Sequence, residues 1–283
     1  MTTETLAFFE KDVYDIAEAI APTWERRREE IEQACESVRN WMLNALRPQE
    51  GDTVLELAAG LGDTGFEAVE ALGKRGRLIT TDLSPAMVDA ARRRGQELGL
   101  SNVTYEVMDA GRLTLKTDSV DGVLCRFGYM LMPNYVDALA ETRRVLRPGG
   151  RVALASWGPP ERNPFFGLIG MSLGQRGHIP APEPPPAPGP FSMATPERTT
   201  ALLEGAGFTD VRTEEVPVRF SVPDVDGYVS LIADTAGPLA LAVRALPEAE
   251  LTAVKAELEG AFPQFAAADG FELPGVALCA AAR

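Results

Sequence analysis

The stretch Val54-Leu55-Glu56-Leu57-Ala58-Ala59-Gly60-Leu61-Gly62-Asp63-Thr64-Gly65 decides how this chain is to be read. A short apolar run enters a glycine-bearing turn, and a helical pattern follows. Such a run suits a strand buried on both faces of a parallel sheet. Glycines allow positive φ and close backbone approach to a ligand. The helix beyond the turn offers unpaired N–H groups and the positive end of its dipole. A dinucleotide site wants G-x-G-x-x-G, with glycines spaced for a pyrophosphate. Here the spacing is E-x-A-x-G-x-G, and a glutamate at the strand end would repel pyrophosphate. Glu56 instead suits an amino group, held directly or through water; the plain alternative is a buried acid capping the next helix. A nicotinamide-dependent dehydrogenase is therefore disfavoured.

Working outward, the pattern repeats. Strands are expected at Thr53–Ala58, Arg77–Thr81, Val103–Val107, Val120–Cys125 and Arg151–Trp157. Helices are expected at Asp63–Leu72, Pro85–Leu98 and Tyr135–Leu146, the last stopped by Arg147-Pro148-Gly149-Gly150. Ser84 precedes Pro85 as an N-cap. This alternation implies right-handed crossovers and a parallel sheet covered on both faces. Strand two ends in Thr81-Asp82-Leu83, about 20 residues past the glycine turn, the distance at which an acid grips a ribose diol. Asp109-Ala110 follows strand three, where an acid can accept from an adenine amino group. Cys125-Arg126-Phe127 leaves strand four beside the turn.

Taken in order, VLELAAGLGDTG, TDLSPAMVDAAR, the DA of Asp109-Ala110, CRFGYMLMPN and RVLRPGGRVALASW resemble the successive motifs of class I S-adenosylmethionine-dependent methyltransferases, with the small-molecule enzymes of ubiquinone and menaquinone biosynthesis as the nearest subgroup. The resemblance covers roughly residues 40–157. It implies an α/β fold: a Rossmann-like, seven-stranded, mostly parallel sheet flanked by helices, with a helical and loop lid. It also implies S-adenosyl-L-methionine as cofactor and a small-molecule acceptor. Matched to the family's motifs, Gly60 and Gly62 lie under the methionine portion and Glu56 is the acid at the strand end. Asp82 holds the ribose, Leu83 packs on the adenine, and Asp109 and Ala110 touch the adenine. Arg126 and Phe127 adjoin the sulfonium and substrate. Ala58 stands where the pattern usually has its first glycine. A salt bridge is the plain alternative for Arg126, and apolar packing for Leu83 and Ala110. The same fold could also hold the donor while catalysing a non-methylating rearrangement or cyclisation, or merely sense it.

The flanks are less patterned. Residues 1–50 read as a helical lid segment, with Ile31, Ala34, Cys35, Val38, Trp41, Met42 and Ala45 at three- and four-residue steps. The mixed-charge run Trp24–Glu30 reads as a solvated helix face. Residues 51–157 form the cofactor-binding core, 158–194 a lid insertion and 195–283 a sheet completion carrying a further helical lid. Ile179–Pro190 holds seven prolines in twelve residues and is expected as an extended loop outside the sheet. Thr195 caps a helix opening at Pro196, strands are expected at Val211–Phe220 and Val276–Ala281, and Pro223, Pro238 and Pro247 mark element starts. Tyr14, Trp24, Tyr129 and Trp157 are candidates for a substrate pocket, since aromatic faces attract cations. The Met130/Met132 pair is expected in the core. His178 is the sole histidine and the natural candidate base, but beside the proline run a solvated, non-catalytic histidine is the favoured reading.

The chain has 283 residues, 27 Lys+Arg and 41 Asp+Glu, hence a net charge of −14. That disfavours nucleic-acid partners and anionic membrane surfaces. Hydrophobic residues make up 45% and charged residues 24%, a globular balance that excludes wholesale disorder. Cys35, Cys125 and Cys279 are scattered, so no disulfide framework or zinc cluster is expected, and no other metal site. The N-terminus carries acids early and does not read as a signal peptide, and no run reaches the roughly 20 apolar residues of a membrane span. A cytoplasmic protein is the expectation. Nothing in the sequence fixes its oligomeric state.

Overall fold

The computed structural model describes residues 13–180 and 188–283. Among the described residues three helices come first: α1 (Val13–Arg26), α2 (Arg28–Ala34) and α3 (Glu36–Leu46). The alternating core follows: β1 (Thr53–Glu56), α4 (Asp63–Leu72), β2 (Arg77–Asp82), α5 (Pro85–Glu97), β3 (Val103–Val107), β4 (Val120–Arg126), α6 (Tyr135–Val145) and β5 (Leu146–Trp157). The remainder supplies α7 (Pro164–Gln175), α8 (Pro196–Gly205), β6 (Arg212–Val222), α9 (Val225–Thr235), α10 (Pro238–Arg244), α11 (Glu248–Ala261), β7 (Ala266–Ala267) and β8 (Gly270–Ala282).

The sheet runs β3-β2-β1-β4-β5-β8-β6, with the two-residue β7 paired to β8 off that path. Strands β1 to β5 are mutually parallel, and β8 is antiparallel to both neighbours. The order reverses between β1 and β4, the switch point at which open α/β sheets bind ligands beyond their carboxyl ends. The expected seven-stranded, mostly parallel architecture is thus present, with one short extra strand. β1 is buried at all four positions, as its apolar run demands.

Local chemistry fixed the helix starts. Ser84 accepts from the Met87 N–H and Thr195 from the Arg198 N–H, and Asp224 caps α9 through Gly227 N. Differences from the sequence expectation arise where pairing overrides local signals. Arg147–Gly150 does not separate α6 from a strand starting at Arg151. Leu146 already pairs with Val120, and the segment bulges before Arg151 pairs with Gly122. β8 begins at Gly270 rather than Val276, because Phe271–Gly275 zip against β6. The N-terminal helix breaks at Arg27 and again at Cys35. Of the proline run, residues 181–187 lie outside the described residues. Met130 is buried and Met132 packs against the main core from a half-buried position.

Besides that core, a small apolar cluster forms where α1 lies against α5 and the glycine turn. It comprises Ile20, Ala21, Leu61, Met87, Ala90 and Ala240. No helix among the described residues is long and apolar enough to cross a membrane.

Candidate functional site

The carboxyl ends of β1, β2, β3 and β4 bring together Glu56, the 58–62 turn, Asp82-Leu83, Asp109-Ala110 and Arg126-Phe127. The turn is left-handed at Ala58 (φ 48), Gly60 (φ 55) and Gly62 (φ 83). The conformation explains the family's usual glycine at position 58, since alanine there is strained where glycine would not be. Phe127, across the switch point, is also left-handed (φ 57). Two non-glycine residues in sparsely allowed backbone on adjacent strand ends mark a functional site.

Asp82 staples the turn: one carboxylate oxygen accepts from Gly60 N at 2.9 Å, the other from Ser84 N at 3.0 Å. An ionised carboxylate has about four acceptor positions, so it can still receive two hydroxyls. Burial pushes its pKa up, against the N–H groups of Ser84, Gly60 and Leu83. Beside it Leu83 is 38% exposed, an apolar side chain turned to solvent where a flat ring would lie. Asp109 accepts from Gly111 N at 2.8 Å and is exposed, while Ala110 is buried.

Glu56 follows its structural alternative. It is 2% exposed, and its oxygens meet Gly65 N at 2.7 Å and the Thr80 hydroxyl at 3.3 Å. A Cβ on Gly65 would come within 2.4 Å of the carboxyl, so the backbone of α4 seals it from the turn's outer side. Burial pushes its pKa up to about 8, overcoming the Gly65 N–H and Arg126. Arg126 likewise turns to a salt bridge. Its guanidinium binds both oxygens of Glu32 on α2, and Glu32 also accepts from Arg39 at 2.6 Å. Burial opposes both charges, but each holds the other ionised: Arg126 is raised and Glu32 lowered.

The substrate-pocket candidates divide. Trp24 lies over the turn, 3.6 Å from where a Gly60 Cβ would be, and its indole N–H donates to Thr235 O at 3.0 Å. Trp157 stacks on Phe127 at 4.1 Å between ring centroids and 10° between planes. Phe166 meets Trp157 edge-on at 4.9 Å, and Phe191 adjoins Phe166 at 6.4 Å. Tyr14 is a 37% exposed residue of α1. Tyr129 is a correction: it is 1% exposed, its hydroxyl bonds the Thr142 hydroxyl at 2.6 Å, and it packs under α6 rather than lining a pocket. His178 also stands apart. It pairs with Glu250 of α11 at 3.1 Å. It follows the end of α7, whose 12 residues span about 18 Å from the aromatic cluster at Phe165 and Phe166.

Sequence reasoning missed three lid residues. Glu18 of α1 accepts from the Ser84 hydroxyl and from Ala86 N at 3.0 Å, capping α5 from outside. Arg28 and Glu32 of α2 join Trp24, Ile31, Leu61 and Arg126 around a cavity of about 10 Å³, room for roughly one water. The run Trp24–Glu30 is thus only partly a solvated face: Glu29 and Glu30 are exposed, but Trp24, Arg27 and Arg28 turn inward. Mixed charge reads the same on a solvated face and in a paired interface, so composition held no signal.

The family described as "Methyltransferase domain" matches residues 54–150. Aklanonic acid methyltransferase DauC of Streptomyces sp. (strain C5) is 31% identical over 183 residues, 60% of this chain and 81% of that protein. The chain belongs to the S-adenosylmethionine-dependent methyltransferases. The demethylmenaquinone methyltransferase of Deinococcus radiodurans is 38% identical over 116 residues, 41% of this chain and 47% of that protein, so the match spans about half of that relative. A solved S-adenosylmethionine-dependent methyltransferase from Aquifex aeolicus superposes with a TM-score of 0.51 at 22% identity, covering 73% of this chain and 94% of that one, and shares the fold. S-adenosylmethionine is the cofactor of this methyltransferase, and its acceptor is a small molecule. The residues at the strand ends fit that donor. The glycine turn admits close backbone contact, and Asp82 has acceptor capacity for two hydroxyls. Leu83 offers an apolar face.

Proposed function

We propose that this methyltransferase transfers the methyl group to a planar, largely apolar aromatic acceptor docked against the half-buried rings of Phe127, stacked on the buried Trp157, and Phe166. The observation that carries the reading is that stacked pair at the carboxyl ends of β4 and β5, extended by Phe166 and Phe191. A flat aromatic wall favours offset-stacked or edge-on rings. The names of the two relatives, acting on aklanonic acid and demethylmenaquinone, lend weight to a quinone-like acceptor.

The donor would lie with its ribose on Asp82 and its adenine between Leu83 and Asp109-Ala110. Gly60 and Gly62 would underlie the methionine portion. Lid segments from residues 13–50, 158–180 and 188–194 would close over it. The donor supplies an electrophilic methyl on a positive sulfur. The nucleophile's lone pair forms the new bond to carbon, and the old C–S pair stays on sulfur, leaving a neutral thioether. Any proton on the nucleophile leaves to solvent. The protein's share is orientation and exclusion of water, for which in-line placement supplies ~7–11 kcal/mol. Neither Tyr129, sealed under α6, nor His178, paired with Glu250, is offered as a base, which favours an acceptor that brings its own acidic oxygen or carbon.

Incubation with S-adenosylmethionine and a panel of hydroxyquinones, aromatic carboxylic acids and aliphatic amines tests this. Release of S-adenosylhomocysteine with a one-methyl mass gain on the aromatic members is expected. Turnover confined to aliphatic amines would overturn it.

A further inference from the structure

The lid cavity holds an unbalanced set of charges. It is lined by Arg28, Arg126 and Glu32, with Trp24, Ile31 and Leu61. Glu32 is saturated, bound by Arg126 through both oxygens and by Arg39. That leaves Arg28. Its only partner among the described residues is Asp63, at 4.0 Å from its Nε, too far for a hydrogen bond. Its five N–H donors are therefore unspent although only 23% of its side chain is exposed. Asp63 is equally unsatisfied: its Oδ2 is buried with no hydrogen-bond partner, and Arg94 approaches only to 3.9 Å. Burial and Glu32 push the Asp63 carboxyl up to about 6. Buried polar groups left open in this way call for a ligand or water.

The cavity's place says which part of the donor would fill it. Leu61 belongs to the glycine turn, and Trp24 covers Gly60. The carboxyl expected to meet the donor's amino-acid end, Glu56, is buried beneath Gly65 and turned to Gly65 N and the Thr80 hydroxyl. An α-amino acid carries its carboxylate and ammonium two bonds apart, so its receptors must be adjacent and opposite in charge. Arg28 and Asp63 are such a neighbouring pair, poised but not bonded to each other.

Taking S-adenosylmethionine as donor, we propose that Arg28, on the lid helix, binds the carboxylate of the donor's methionine end, with Asp63 beside it as the acceptor for the ammonium of the same end. Glu56 is then a structural cap and not a donor ligand. Because Arg28 opens α2, one residue past the break that ends α1, filling this contact draws the lid onto the glycine turn. An adenosyl thioether that lacks the amino-acid end cannot do so.

Calorimetry with two probes tests it: S-adenosylhomocysteine, and 5′-methylthioadenosine, which is the same nucleoside thioether without the amino acid. In Arg28→Gln the affinity for S-adenosylhomocysteine should fall about 10- to 100-fold, as for loss of a charge-assisted bond, while 5′-methylthioadenosine binds as before. Arg28→Lys, which keeps the charge but not the fork, should fall between. Asp63→Asn should weaken S-adenosylhomocysteine selectively. Asp82→Asn should weaken both probes together, since both carry the ribose. Hydrogen exchange on the parent should show α1 protected by S-adenosylhomocysteine and not by 5′-methylthioadenosine. Equal loss of both probes in Arg28→Gln, no loss of either, or equal protection of α1 would overturn the proposal. Should neither probe bind the parent, the donor assignment would fail with it, a result distinct from selective failure.

Discussion

Glu56 places a strong constraint on how stability varies with pH. Its pKa is near 8 in the folded chain against 4.5 as the ordinary value, because burial disfavours the charged form. A folded pKa above the unfolded one means the native state binds the extra proton between those values. Stability is therefore greatest below about pH 4.5 for this group and falls as pH rises toward 8. Protonated, the carboxyl can accept from Gly65 N–H and donate to the Thr80 hydroxyl, a pattern that a glutamine amide reproduces. Glu56→Gln should thus match the parent in denaturant at pH 5 and exceed it by about 2–4 kcal/mol at pH 8. Asp63, raised to about 6, slopes the same way, and its charge adds to the cost of ionising Glu56. Parallel curves across that range would show Glu56 ionised in the fold. The sequence alone offered two roles for this residue. Which one held depended on Gly65, whose missing Cβ lets α4 close down on the carboxyl.

Among the elements, those legible in advance share one property: their limits are set by residues within a few positions. Ser84-Pro85 and Thr195-Pro196 start helices by local capping, and α4 and β3 fall where periodicity placed them. The strand-end acids gathered as expected, because spacing along alternating strands and helices dictates it. What stayed illegible joins distant segments. Glu32 lies 94 positions from Arg126, and the β6–β8 zipper has no local signature. The lid latch is of the same kind. Trp24 donates to Thr235 O, Arg27 reaches Asp234 at 2.9 Å and Ser230 at 2.7 Å, and Thr23 donates to Asp234 O. α1 is so fastened to the end of α9, tying the N-terminal segment to the helices inserted after β6. Asp234→Ala takes one carboxylate partner from the partly buried Arg27 guanidinium, which keeps Glu30 and Ser230, a local loss of about 1–2 kcal/mol. Amide exchange in α1 should then quicken about 5- to 30-fold with the sheet unaffected, read by mass spectrometry. Uniform quickening throughout the chain would mean that the latch is part of the global core.

At the scale of the molecule, the proposed reading divides two tasks between the two sides of the switch point. On the β1–β2 side stand Asp82, Leu83 and the glycine turn, covered by α1. On the β4–β5 side stand Phe127, Trp157, Phe166 and Phe191, where α7 and the segment before α8 meet the sheet. The net charge of −14 is no guide here, since Arg28, Arg39, Arg94 and Arg126 concentrate positive charge beside the turn. Phe127 directly follows β4 beside the glycine turn, so substitutions further out on the aromatic side should separate the two tasks. Phe166 is half-buried, edge-on to Trp157, and absent from the donor side. Phe166→Leu removes one aromatic contact to the acceptor, worth ~0.5–1.5 kcal/mol beyond area. The acceptor KM should rise about 2- to 10-fold, while S-adenosylhomocysteine binds unchanged and kcat at saturation holds within about twofold. That split follows because a stacking wall binds ground and transition states alike, whereas the methyl and its sulfur are oriented from the opposite side. A fall in kcat with KM unchanged would mean that Phe166 acts on the alignment of the transfer itself, and the two-sided division of labour would fail.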